Sequence, residues 1–185
     1  MSFLDVVNIS TVNLTVSIVG ASLCLFSYIL RLTIHIYIYK KQFEFSKIFF
    51  KYLVIFIFLG YAGWGVWSGV DPVKMNISSY ISIPIGAILT VTGFGLFIYS
   101  EMKKGGVGEK EELVSTGIYS KIRHPMYVGI ILFHIGYPFM FKSFIACFST
   151  LLWAAFIFTW KYFEEKNLEL QFGKQYIEYK KRTWF

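Results

Sequence analysis

Along this chain, long apolar runs alternate with short basic stretches, and the length of each run sets the first expectation. A helix needs about 20 apolar residues to cross the hydrocarbon core of a bilayer. Runs at 11–30, 48–69 and 80–100 meet that length. Two more, 126–141 and 143–163, are parted only by Phe141-Lys142-Ser143 and predict a tight helical hairpin whose shorter first arm still crosses. Residues 32–39 (LTIHIYIY) alternate with the period of a strand. A lone strand at membrane depth would leave its backbone groups unpaired, so this stretch is expected to continue the first helix. After Trp160 the pattern changes again: Leu168, Phe172, Tyr176 and Tyr179 fall on one helical face opposite Lys and Glu. That spacing predicts an amphipathic tail helix, weakened at Gly173, that lies on the membrane or caps a site.

The predicted fold class is therefore all-α: an integral membrane protein with five transmembrane helices, a C-terminal helical hairpin and an amphipathic cytosolic tail helix. It forms one membrane domain over 1–185, with a three-span scaffold in 1–100 and a functional half in 101–185. Small residues punctuate the second and third spans at Gly60, Gly63, Gly65, Gly69, Gly86, Gly93 and Gly95. Gly65 and Gly69 make a Gly-x-x-x-Gly pair, which suits close helix packing within the chain better than a dimer face.

Composition strengthens the membrane expectation. Of 185 residues, 56% are apolar and 21% aromatic, more than a soluble domain of this length can hide. The net charge of +7 would fit a nucleic-acid partner, but the basic residues flank apolar runs. With five spans, loop 31–51, loop 101–124 and the tail after Trp160 carry sixteen of the 18 basic residues, leaving Lys74 and Lys142 on the other side. That asymmetry predicts an outside N-terminus, with the C-terminus and the site cytosolic. No Lys or Arg precedes Arg31, so the first run is expected to be a retained span and not a cleaved signal. Cys24 and Cys147 lie singly in apolar runs and point to neither a disulfide framework nor a zinc site. The segment KKGGVGEKEE (103–112) is a charged linker; with no preceding strand and no Gly-Lys-Ser/Thr, it is not a phosphate loop.

Candidate chemistry follows from the hairpin. Ascending from His124 to Lys142 takes about 27 Å of helix, and descending to Glu164 about 33 Å. The two legs nearly cancel, so Arg123-His124 and Glu164-Glu165 should meet at one end of the pair. Ionisable groups at membrane depth are costly, and a convergent cation, imidazole and carboxylate pair is a candidate site. Pro125 suits the first turn of the fourth helix and biases His124 toward extended backbone. His134, inside that helix, is expected to bond a neighbouring helix; His35 is expected at the interface. Acidic and hydroxyl residues are too sparse in the spans for an ion pathway.

These residues carry a resemblance. The segment LVSTGIYSKIRHPMYVG, then Glu164-Glu165, then FGKQYIEYKKR, together covering 113–182, resembles the isoprenylcysteine carboxyl methyltransferase and phospholipid methyltransferase superfamily of integral membrane enzymes. The resemblance implies S-adenosylmethionine as cofactor, enclosed by the last two spans, the loop before them and the tail. It implies that Leu113, Val114, Gly117 and Tyr119 line the adenosine side, while His124, Pro125 and Tyr127 hold the ribose and amino-acid portion. Glu164 or Glu165 would close the pocket, and either could take a proton from an amine acceptor. Arg123 would orient the acceptor by pairing with a carboxylate or phosphate.

The implied acceptor is lipophilic or lipidated, an isoprenylcysteine-type carboxylate or a lipid head group entering from the bilayer, with carboxyl O-methylation favoured. Many relatives carry His or Lys just before the Leu-Val pair, where this chain has Glu111-Glu112. The alternatives are an NADPH-dependent membrane reductase of the sterol-reductase type and a non-enzymatic membrane scaffold.

Overall fold

The computed structural model describes residues 11–40, 47–104 and 112–185. Most of the expected linker, including Gly105, Gly106, Gly108 and Glu111, lies outside the described residues, as do Lys41 and Lys110. The elements are α1 (Thr11–Tyr39), α2 (Lys47–Val70), α3 (Ser79–Lys104), a 3-10 turn (Gly117–Ser120), α4 (Pro125–Met140), α5 (Phe144–Phe148), α6 (Thr150–Phe172) and α7 (Lys174–Arg182). Residues 32–39 are helical, as backbone pairing at membrane depth requires.

The segments Asn13–Tyr39, Ser79–Lys103 and Phe144–Phe172 are long and apolar enough to cross a membrane; Ile55–Val70 and Pro125–Met140 are shorter apolar helices. Their outward faces carry Ile18, Phe58, Ile88, Val91 and Leu151, each more than half exposed. Such a surface is costly in water and at home against lipid tails, which are equally apolar. The chain is a multi-pass membrane protein.

Two antiparallel helix pairs build the bundle, and glycine sets the distance in both. On α3 and α4, a Cβ added to Gly93 would stand 2.5 Å from the Gly129 carbonyl oxygen, and one added to Gly129 equally close to that of Gly93. Two turns away, Gly86 and Gly136 repeat the arrangement at 2.7 and 2.8 Å. Backbones this close gain dispersion contacts that larger residues would forbid. On α1 and α2, Gly20 lies against the Gly63 carbonyl and Gly60 against the Ser27 hydroxyl. That hydroxyl bridges the helices, donating to the Leu23 and Phe56 carbonyls at 2.9 and 3.0 Å. The Gly65–Gly69 pair contributes less: a Cβ added at Gly65 would meet Tyr137 at ordinary contact distance, and one added at Gly69 would meet nothing within 4 Å.

Between the pairs lies an aromatic core of Tyr28, Trp64, Trp153 and Trp160, each at most 2% exposed. His134 belongs to it structurally. The Ile130 carbonyl, 2.9 Å from Nδ1, can only accept, so the ring proton sits there and Nε2 accepts from Tyr28 at 3.0 Å. Cys24 and Cys147 are free thiols.

The end of the bundle remote from Arg123 is closed by Asp71, 2% exposed. Its carboxylate accepts from the Val73 and Ala146 amides at 3.0 and 2.9 Å, joining the end of α2 to α5. The Ser143 hydroxyl donates to the Ser68 carbonyl beside it. Asp71→Ala strands the buried Ala146 amide and releases the partly exposed one of Val73, and should cost about 2 kcal/mol. A lowered thermal midpoint in detergent, with Asp71→Asn in between, is the expected result.

Candidate active site

The loop that enters α4 is shaped residue by residue. Gly117 takes φ of +63°, a region where a Cβ would be strained, and starts the 3-10 turn that carries Tyr119 inward. The Tyr119 hydroxyl donates to the Ser100 carbonyl at 3.3 Å, and Tyr179 donates to the Tyr119 carbonyl at 2.6 Å. The loop is thereby pinned between α3 and α7. Pro125 opens α4 at its first position, where its missing N–H costs nothing. The preceding His124 is only half extended: its φ of −125° fits the expectation, but its ψ of 59° turns the chain sooner.

Gly173, at φ of +51°, interrupts what the spacing predicts as one tail helix. It separates α6 from α7 so that α7 folds back on the loop. The return is secured by backbone bonds from Arg123 N to Trp184 O (3.0 Å) and from Trp184 N to Lys121 O (2.8 Å). Arg123 Nη1 adds bonds to the carbonyls of Lys180 and Thr183.

The hairpin brings the two ends together. Glu165, 7% exposed, is surrounded: Arg123 Nε (3.2 Å), His124 Nε2 (3.3 Å) and Lys161 Nζ (3.1 Å) reach Oε1, and Lys180 Nζ (2.9 Å) reaches Oε2. Glu164 sits differently. Its Oε2 accepts from the Tyr127 hydroxyl at 2.7 Å and lies 3.6 Å from His124 Nδ1. Tyr127 stacks on His124 with ring centres 5.4 Å apart. The Glu165 carboxylate, joined by Glu169, holds the Lys180 ammonium above the ordinary lysine range.

Above this polar floor opens a cleft bounded by the α4 loop, α6 and α7. Of the residues expected from sequence, Leu113, Val114, Tyr119, Arg123, His124, Tyr127 and Glu164 line it. Gly117, Pro125 and Glu165 are not among its lining: the first two shape the backbone, and Glu165 anchors the cations beneath. Glu112, Met126, Leu168, Phe172, Tyr176 and Tyr179 also line it. Leu168, Phe172, Tyr176 and Tyr179 are the apolar face visible in the tail pattern, here turned onto a site. Tyr176 is fully buried, and its hydroxyl has no hydrogen-bond partner among the described residues. Burial pushes its hydroxyl up, so it stays protonated as a donor; burial pushes Tyr179 up to about 12.

Sequence reasoning missed Arg31. It is a charge of the loop 31–51 in the span count, but α1 continues two turns beyond it. Its guanidinium carbon stands 4.4 Å from the Trp160 ring centre and 5.8 Å from that of Tyr127. The available signal was the helical spacing Cys24, Tyr28, Arg31, which puts the cation on a buried face.

The chain is similar to known proteins over part of its length. Over 77 residues the chain is 36% identical to protein-S-isoprenylcysteine O-methyltransferase B of Arabidopsis thaliana, covering 40% of this chain and 39% of that protein. It is 37% identical over 77 residues to protein-S-isoprenylcysteine O-methyltransferase of Schizosaccharomyces pombe (38% and 30%). The human protein of that name is 30% identical over 117 residues (51% and 39%). The aligned stretches thus span less than two-fifths of each relative. No solved structure matches. The family model described as phospholipid methyltransferase matches residues 75–175, from the start of α3 into α7 and through the cleft-lining loop, and the chain belongs to that family.

Proposed function

We propose that this protein transfers a methyl group from S-adenosylmethionine to a lipophilic acceptor, with the cleft between the α4 loop, α6 and α7 as the active site. The observation that carries the reading is the buried Tyr176 hydroxyl, without a hydrogen-bond partner among the described residues, in the same cleft that the Glu164 carboxylate lines. Those groups fit the cofactor's chemistry. Leu113, Val114, Leu168 and Phe172 suit a purine face, Tyr176 can donate to a ribose or carboxylate oxygen, and Glu164 can accept from an ammonium or a hydroxyl. When bound, S-adenosylmethionine supplies an electrophilic methyl on a sulfonium, whose bonding pair stays on sulfur as the acceptor's lone pair forms the new bond.

The protein's own residues position and exclude water. Tyr127 and His124 hold Glu164 toward the cleft, where it also serves as proton acceptor if the nucleophile is an amine. A carboxylate acceptor needs no base. Glu165 is a charge anchor below the site. Arg123, bonded to Glu165 and the tail, fastens α7 over the cleft and turns its remaining face to an anionic acceptor. The names of the relatives support an isoprenylcysteine-type carboxylate, and the family model supports a phospholipid head group; carboxyl O-methylation remains the favoured reaction. Family membership favours methyl transfer over the reductase and scaffold alternatives.

In the membrane we infer five spans, with α2 and α4 completing the set. The N-terminus lies outside and the site faces the cytosol, supported by the sixteen-to-two division of basic residues. Labelled S-adenosylmethionine, incubated with the detergent-purified protein and either N-acetyl-S-farnesylcysteine or phospholipid micelles, tests the reaction. Label should enter one of these lipophilic products; label in neither, with stabilisation by NADPH in place of S-adenosylhomocysteine, overturns the assignment. Tyr176→Phe should weaken S-adenosylhomocysteine binding by about tenfold with little change in thermal midpoint, since the hydroxyl has no hydrogen-bond partner among the described residues.

A further inference from the structure

We propose that Arg31 is a positioning residue of this site, holding Tyr127 and through it the Glu164 carboxylate. The inference rests on the methyl-transfer reading of the cleft and adds a residue from a helix outside the family-matched segment 75–175.

Arg31 belongs to a segment apolar enough to span a membrane, where an arginine is expensive without a partner. It stands two turns before the end of α1, on the buried face that carries Cys24 and Tyr28. There its guanidinium packs on Trp160, which is 1% exposed and one helical turn before Glu164, so the two share a face of α6. The same guanidinium reaches over the ring of Tyr127, also 1% exposed, whose hydroxyl donates to Glu164 Oε2 at 2.7 Å. Arg31 is not among the residues lining the cleft, whereas Tyr127 and Glu164 are. It therefore acts from behind them. A cation over both rings fixes their planes through its attraction to the π faces and favours a charged Glu164 in front of them. Arg31 thus links α1 to the residues that line the cleft.

Two substitutions separate this role from simple packing. Arg31→Met keeps length and apolar contact but removes the charge; Arg31→Lys keeps the charge. With labelled S-adenosylmethionine and N-acetyl-S-farnesylcysteine or phospholipid micelles, Arg31→Met should lower kcat at least about tenfold while leaving the KM for S-adenosylmethionine near that of the wild type. Arg31→Lys should recover most of that loss. Wild-type kcat in Arg31→Met, or equal loss in both variants, overturns the proposal. A second measurement does not depend on activity: thermal midpoints in detergent of Arg31→Met, Glu164→Gln and the double variant. Coupled residues give a double variant that loses less than the two single losses together; additive losses overturn the positioning role. Coupling in a wild type that methylates neither probe would leave Arg31 as the partner of Tyr127 and Glu164 and would sink the methyl-transfer reading instead.

Discussion

Glu165→Gln is expected to remove cofactor binding and to cost about 3–5 kcal/mol of stability, the range for breaking a buried ion pair on one side. The reason is the number of groups that share this carboxylate. Arg123, Lys161 and His124 meet at one oxygen and Lys180 at the other. A neutral amide keeps the shape and some hydrogen bonding but leaves these groups facing one another without the central negative charge. The loop before α4, the end of α6 and the tail all hang on that point, so the cleft should open as a unit. Lys180→Gln is the contrasting control. Its side chain is 40% exposed, and a pair so exposed contributes at most about 1 kcal/mol. Thermal unfolding in detergent and S-adenosylhomocysteine binding read both effects; equal, small losses in the two variants would contradict the anchor role of Glu165.

Arg123→Ala should abolish methyl transfer and also weaken cofactor binding by at least tenfold, because the guanidinium clamps α7. Its loss frees the carbonyls of Lys180 and Thr183 along with Glu165. Each charged hydrogen bond of this kind contributes about 1.5–3 kcal/mol. Lysine cannot replace the fork that reaches two directions at once, so Arg123→Lys should recover little. Transfer lost with cofactor affinity intact would instead make acceptor orientation, the role implied by resemblance, the whole of its function. Cofactor affinity and turnover measured on the same preparation distinguish the two.

How much of this could be read from the sequence depends on what fixes each feature. The meeting of Arg123-His124 with Glu164-Glu165 was legible because the helical rise is constant and the hairpin turn at Lys142 is short. Which glutamate faces the cleft was not legible. Neighbours on a helix point about 100° apart, and the rotation of α6 is set by packing against α1 and α4. Likewise the Gly65–Gly69 spacing is a true small-residue motif without a close partner at Gly69, whereas Gly93 and Gly129 acquire their meaning only from each other's register. Gly173 was visible as a weak point, but that the chain reverses there follows from the bonds that Arg123 and Trp184 make with the tail. Arg31 was hidden by its position at the edge of an apolar run, where a cation ordinarily marks the membrane surface.

The central claim is that the cleft under α7 binds S-adenosylmethionine, and equilibrium binding of the labelled cofactor to the detergent-purified full chain tests it most directly. Saturable binding that S-adenosylhomocysteine displaces, that NADPH does not, and that Glu165→Gln abolishes is the predicted result. No saturable binding, or displacement by NADPH, would contradict it.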